Sequence, residues 1–112
     1  MAMQRFEAHQ VASVAAQHAL KLAFAKAPPA IRSLCDQMIR ATTSVPLNLA
    51  EGSGRRGKDR RYHFSVAYGS AQEASSALEL LASTGTVSAE QAELMLALLD
   101  RVKAMTWRLM QS

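Results

Sequence analysis

Within seven consecutive positions of this chain stand Arg55, Arg56, Lys58, Arg60 and Arg61, with Asp59 the one acid among them. Guanidinium forks match phosphate oxygens in pairs, and glycines at 52, 54 and 57 let a backbone come close to a ligand. Tyr62, His63 and Phe64 follow directly and could stack on exposed bases. Each phosphate neutralised would release counterions, so such binding would weaken with salt. The run also reads as a solvated loop leading into a helix. Its cations would then sit at a helix N-terminus, where the backbone dipole disfavours them. That misplacement favours an external anion or a partner carboxylate. Net charge is +4 and is carried by the segment from Ser53 to His63; the rest of the chain sums to zero.

A second polar set lies nearby. Asn48 and Glu51 are three positions apart and share a helical face beside Pro46. Arg40 lies on the same face three turns earlier, too far to pair with Glu51 within one helix. Glu73 falls in a stretch of small and apolar residues. A carboxylate buried there needs a partner, so an arginine ion pair is expected, within the bundle or across a subunit contact. Arg40, Asn48, Glu51 and Glu73 thus read as a network that fixes the fold or the assembly.

Catalytic patterns do not emerge. No serine has the strand-turn-helix setting of a nucleophile elbow, and no Gly-Lys-Ser/Thr closes a phosphate-binding loop. His9, His18 and His63 make no helical pair, and no Glu-x-x-His motif occurs. Neither a metal, nor a cofactor, nor enzymatic activity is expected. Cys35 is the single cysteine and reads as a small buried hydrophobe, in keeping with a reducing cytoplasm. No apolar run reaches the ~18–20 residues of a membrane span, and the N-terminus does not read as a signal peptide.

The elements that must hold these residues are helices of a single domain over residues 1–112. The first is expected over about 4–26, where Val11, Ala15, His18, Leu22 and Ala25 share a face and Pro28-Pro29 ends the run. The second spans about 30–52, with Ile31, Leu34, Met38, Ala41 and Val45 as its seam. Pro46 falls inside it. Either the helix kinks and continues, or Ser44 caps a fresh segment; the apolar Leu47, Leu49 and Ala50 favour the kinked continuation. The third spans about 58–84, with Phe64, Ala67, Ala71, Ala74, Leu78 and Leu81 facing inward. Four of its facing positions are alanine or smaller, Gly69 included, so a neighbouring backbone can come close. The fourth spans about 88–110, opened by a Ser88–Gln91 capping box, with Met95, Leu98, Val102, Met105 and Leu109 as its seam. Leu94, Leu99 and Trp107 widen that apolar face beyond what one bundle hides, which points to an interface. Short links force neighbours to be antiparallel, so the fold class is all-α, an up-down-up-down four-helix bundle.

The central motif Gln37-x-x-Arg40-Ala41-x-x-Ser44-Val45-Pro46-x-Asn48-x-Ala50-Glu51-Gly52-x-Gly54-Arg55 resembles that of a bacterial four-helix-bundle family. Its first members were found encoded in intervening sequences of 23S ribosomal RNA genes. A distant branch is the accessory variability protein of diversity-generating retroelements. Tyr62-x-Phe64, Ala67-x-Gly69-Ser70-x-x-Glu73 and the Thr84-Gly85 break resemble the family's third helix and its end. The resemblance covers Gln37 to Trp107, while His9, His18 and the Pro28-Pro29 turn depart from it. It implies a ring of identical subunits, commonly five, without enzymatic activity and with nucleic acid as a partner of some members. Two functional readings follow. In one, a homo-oligomer, pentamer favoured, binds RNA or DNA through Arg55–Arg61. In the other, the same oligomer is a scaffold whose basic segment docks an acidic protein or a neighbouring subunit.

Overall fold

The structure, a computed structural model, describes residues 2–22, 24 and 26–111. Four helices account for nearly all of it: α1 (Ala2–Lys21), α2 (Pro29–Ser53), α3 (Gly57–Ser83) and α4 (Ala89–Gln111). Each packs on two neighbours in the cyclic order α1, α2, α3, α4, with the α2–α3 pair the most extensive, and the diagonal pairs do not approach. The chain is therefore an all-α up-down four-helix bundle, 44 Å along its long axis. The expected helix over 4–26 stops at Lys21, and Lys26 lies in the turn before Pro28. Ala25 lies outside the described residues.

α2 passes through Pro46 without a break, and no new segment starts at Ser44. Proline removes the bond to the Thr42 carbonyl. The neighbouring polar side chains fold back along the helix instead of leaving it. Thr42 and Thr43 donate to the carbonyls of Met38 (2.6 Å) and Ile39 (2.9 Å), and Asn48 donates to that of Ser44 (3.0 Å). Such bonds satisfy the hydroxyls inside a packed interior. At its start, Pro29 occupies the first helical position, where a missing N–H costs nothing.

The interior is layered by side-chain size. α1 contributes Ala8, Ala12, Ala15, Ala16 and Ala19 around a single Val11. Bulk comes from the other three helices, as Met38, Leu49, Phe64, Leu78, Leu81, Met95 and Leu99, all at or below 1% exposure. The small inward face of α3 is Ala67, Ala71, Ala74 and Ala77. Gly69 does not belong to it: the residue is exposed, and a side chain there would meet open space. In α4 the buried line is Ala92, Met95, Leu99, Val102, Thr106 and Leu109. The expected Leu98 and Met105 lie one step to the side, half-buried. Thr106 was hidden from a search for apolar periodicity because of its hydroxyl.

Helix ends follow local chemistry. Beyond α3, the Thr86 amide donates to the Leu81 carbonyl and the Gly85 amide to that of Ala82, both at 3.0 Å, with Gly85 at φ +75°. That is a Schellman end, and glycine tolerates the left-handed turn it requires. Ser88 caps α4 through the Gln91 amide at 3.1 Å. The side chain of Gln91 does not complete the box; it reaches Nδ1 of His18 on α1 at 3.3 Å. Cys35 is buried, and burial, with Asp36 beside it, pushes its thiol pKa up, so it stays a neutral core residue.

α2 and α3 meet most tightly at Gly52. A Cβ there would stand 2.7 Å from the Phe64 ring and 3.2 Å from the Arg60 carbonyl oxygen. Replacing Gly52 with alanine must push Phe64 out of the core, and urea denaturation should show a loss of about 1–3 kcal/mol. The Thr106 hydroxyl is buried without a partner among the described residues. Thr106→Val keeps the shape and removes that cost, so the same measurement should show a gain of about 1 kcal/mol.

Candidate nucleic-acid interface

The antiparallel order brings four chain segments to one end of the bundle: the start of α1, the end of α2, the start of α3 and the end of α4. Surface grooves record the juxtaposition. One is lined by Arg5, Phe6 and His9 of α1 with Ala50 and Ser53 of α2. A second is lined by Gln4 and Glu7 of α1 with Met105 and Arg108 of α4. Two more lie where the start of α3 meets the end of α4. The cations of residues 55–61 are thus joined by Arg5 and Arg108, which are remote in sequence. The opposite end carries Asp36, Glu79, Glu90 and Glu93 against Lys21, Lys26 and Arg32. Charge is therefore polarised along the bundle axis, with the excess of positive charge at one end.

The five cations do different jobs. Arg60 is half-buried and turned inward: its Nε donates to the Gly52 carbonyl at 3.2 Å and its Nη2 to that of Ser53 at 3.5 Å. These are terminal carbonyls of α2, and a cation at a helix C-terminus also meets the negative end of the dipole. Arg55 stands between Glu51 and Asp59, 3.6 Å from each, in exposed ion pairs. Such pairs contribute little to stability but hold the guanidinium close to two carboxylates. Arg56, Lys58 and Arg61 are exposed and have no partner within the chain among the described residues.

The start of α3 adds to this field. Arg56 precedes the helix in an extended conformation with no side-chain cap, and Gly57 takes φ +58°. The start of α3, without a side-chain cap, thus sets the positive end of a helix dipole among the same cations.

The second polar set is arranged differently from the expectation. Glu73 and Arg40 are exposed and make no ion pair among the described residues, so the buried carboxylate expected at Glu73 is not present in one chain. The outward position follows from helical phase: Phe64, Ala67, Ala71, Ala74 and Leu78 take the inward stripe of α3 and turn residue 73 away from it. Glu51 pairs with Arg55, four residues further along the chain. Of the four residues only Asn48 enters an interhelical network, and its partners are others. Its amide donates to Ser44 Oγ at 3.0 Å, Ser44 Oγ lies 3.0 Å from Ser70 Oγ, and Asn48 Oδ1 lies 3.2 Å from His63 Nδ1. An amide oxygen only accepts, so Nδ1 of His63 carries the proton. The ladder stitches α2 to α3 just above the Gly52–Phe64 contact.

No group of histidine, cysteine and acidic residues suited to a metal occurs among the described residues. Among the described residues, no helix is long and apolar enough to cross a membrane.

Two aromatic contacts lie on the α3/α4 side; the sequence singles out Tyr62 and Trp107 but not the Tyr68–Trp107 pairing. Tyr62 is exposed and meets His63 edge-on, with ring centroids 5.2 Å apart. Trp107 of α4 lies against Tyr68 of α3, centroids 5.7 Å apart. The available signal was the position of Trp107 off the α4 seam, which marks it as a residue with a task outside the core.

The fold resembles that of a solved protein of unknown function from the S23 ribosomal protein family of Bacteroides thetaiotaomicron. The two share 18% identity over 97% of this chain and 99% of the other, with a TM-score of 0.79. At that identity the likeness concerns the fold. No curated protein matches the sequence. The family model described as 23S rRNA-intervening sequence protein matches residues 5–108. That match takes in α1, which the central motif alone did not reach, and on it the chain belongs to the 23S rRNA-intervening sequence protein family.

Proposed function

We propose that this protein is a non-enzymatic, ring-forming homo-oligomer of the cytoplasm, pentameric as its family resemblance implies. Its basic bundle end binds RNA or DNA as an accessory to a ribosomal or retroelement function. The observation that carries the reading is the gathering of Arg56, Lys58 and Arg61, unpaired within the chain, around the uncapped start of α3. Cations without internal partners are free to meet phosphates, and the helix dipole adds to the attraction. A ring would repeat the patch on one side and multiply modest contacts into avidity. Assembly has its own support: Met3, Phe6, Val14 and Leu20 of α1 and Leu94 of α4 are large, apolar and exposed in the single chain.

The scaffold reading keeps the same oligomer and has the basic end dock an acidic protein or a neighbouring subunit. Light scattering separates the two. Arg56→Ala, Lys58→Ala and Arg61→Ala combined should leave a particle of five times the 12.1 kDa subunit mass and abolish nucleic-acid binding. Loss of the particle instead would favour the scaffold.

Gel shift of the parent chain should show affinity falling at least about tenfold between ~50 and ~200 mM salt. No shift at the lower salt, or a shift untouched by the triple variant, would sink the nucleic-acid reading. Arg60→Ala should behave differently from the triple variant. It removes the carbonyl contacts at the end of α2 and should lower stability by about 1 kcal/mol in a denaturation curve.

A further inference from the structure

We propose that the α3/α4 face at the basic end is a site for unpaired nucleic-acid strands, with bases stacking on Tyr62 and Trp107 and phosphates meeting Lys58 and Arg61. The proposal rests on the nucleic-acid reading above and names the form of nucleic acid and the residues that read it. Three observations carry it.

The first is the distribution of amphipathic aromatics. The chain has two tyrosines and one tryptophan, and all three lie on this face. Tyr62 and Trp107 are 64% and 52% exposed. Neither is needed by the core, whose one large ring is Phe64. An exposed ring presents a π-face to solvent, and every base has a π-face to match it.

The second is the groove. Lys58, Arg61, Tyr62, Ser65 and Met110 line a surface cleft of about 280 Å³. It continues past Arg61 and Met110 into the neighbouring cleft at Gly57 and Leu109. Met110 and Trp107 are three residues apart on α4 and so share its face, which extends the surface from the groove to the Tyr68–Trp107 pair. An apolar floor, exposed rings and cations along the edge are the parts of a single-strand channel.

The third is charge. Lys58 and Arg61 have no partner within the chain among the described residues, and they line the same cleft as Tyr62. The centre of a protein interface is depleted of lysine, and a desolvated cation without a counter-ion is costly. A phosphate backbone supplies the counter-charge at the spacing of successive nucleotides. A duplex could satisfy the cations but not the rings, because its bases are stacked on each other and present only their edges.

Trp107 is the only tryptophan, so its emission reports on this face without labelling. The full chain is titrated at ~50 mM salt with a uniform deoxythymidine strand of about 16 nucleotides, and separately with a blunt duplex of the same length. Quenching by the single strand is expected, with at least about tenfold weaker binding of the duplex. Tyr62→Ala should weaken single-strand binding about tenfold and leave duplex binding in place, while Tyr62→Phe restores it. Because Tyr62 is exposed, a circular dichroism spectrum like that of the parent is the expected control. Equal binding of both forms, unmoved by Tyr62→Ala, would overturn this site and leave the basic-end reading standing. No binding of either form would overturn both. Emission that shifts on diluting the protein but not on adding the strand would assign the face to a contact between copies and overturn the proposal.

Discussion

The close approach of α2 and α3 at Gly52 is the constraint on which the rest depends. Without a side chain at that position, the Phe64 ring lies directly on the α2 backbone, and Arg60 turns back to hold the carbonyls of Gly52 and Ser53. One contact therefore does three things. It seals the basic end of the core with an aromatic ring. It satisfies the end of a 25-residue helix. It also clamps the three-residue link between α2 and α3 so that the cations around it project outward. The Asn48, Ser44, Ser70 and His63 ladder lies just above and fixes the sliding register of the two helices, which apolar packing alone specifies weakly.

Seen from this contact, the basic run is not a uniform strip of charge. Its members alternate between building the joint and facing away from it. Arg60 belongs to the fold, Arg55 is tethered by Glu51 and Asp59, and Arg56, Lys58 and Arg61 remain outward. The bundle adds what linear order hides. Because strands of the chain alternate in direction, Arg5 and Arg108 arrive beside residues 55–61, whereas the acids of the early α2, late α3 and early α4 collect at the far end.

Much of this architecture was legible in the residues. Helical periodicity, the Pro28-Pro29 and Gly85 breaks and the Ser88 cap located four helices and their antiparallel order. Two kinds of feature were not legible, for physical reasons. Seam phase is ambiguous where apolar residues occupy adjacent stripes, so Leu98 and Met105 were favoured over Leu99 and the polar-looking Thr106. Long-range partners of polar side chains depend on which face meets which neighbour. Glu73 was expected inside because its neighbours are small, yet helical phase turns it outward, and Asn48 found His63 and Ser44 rather than the charged residues of its motif. The role of Arg60 was hidden for the same reason: a basic residue eight positions after Gly52 becomes a cap once the link folds back.

The inward face of α1 is nearly all alanine, and this distributes the cohesion of the bundle unevenly. Buried methyl groups contribute far less to cohesion than the leucine, methionine and phenylalanine side chains of α2, α3 and α4. Stability is thus distributed unevenly, with a strongly held three-helix unit and a lighter fourth member. Local opening follows the least cohesive seam, and by the size of its buried side chains that seam is the one around α1.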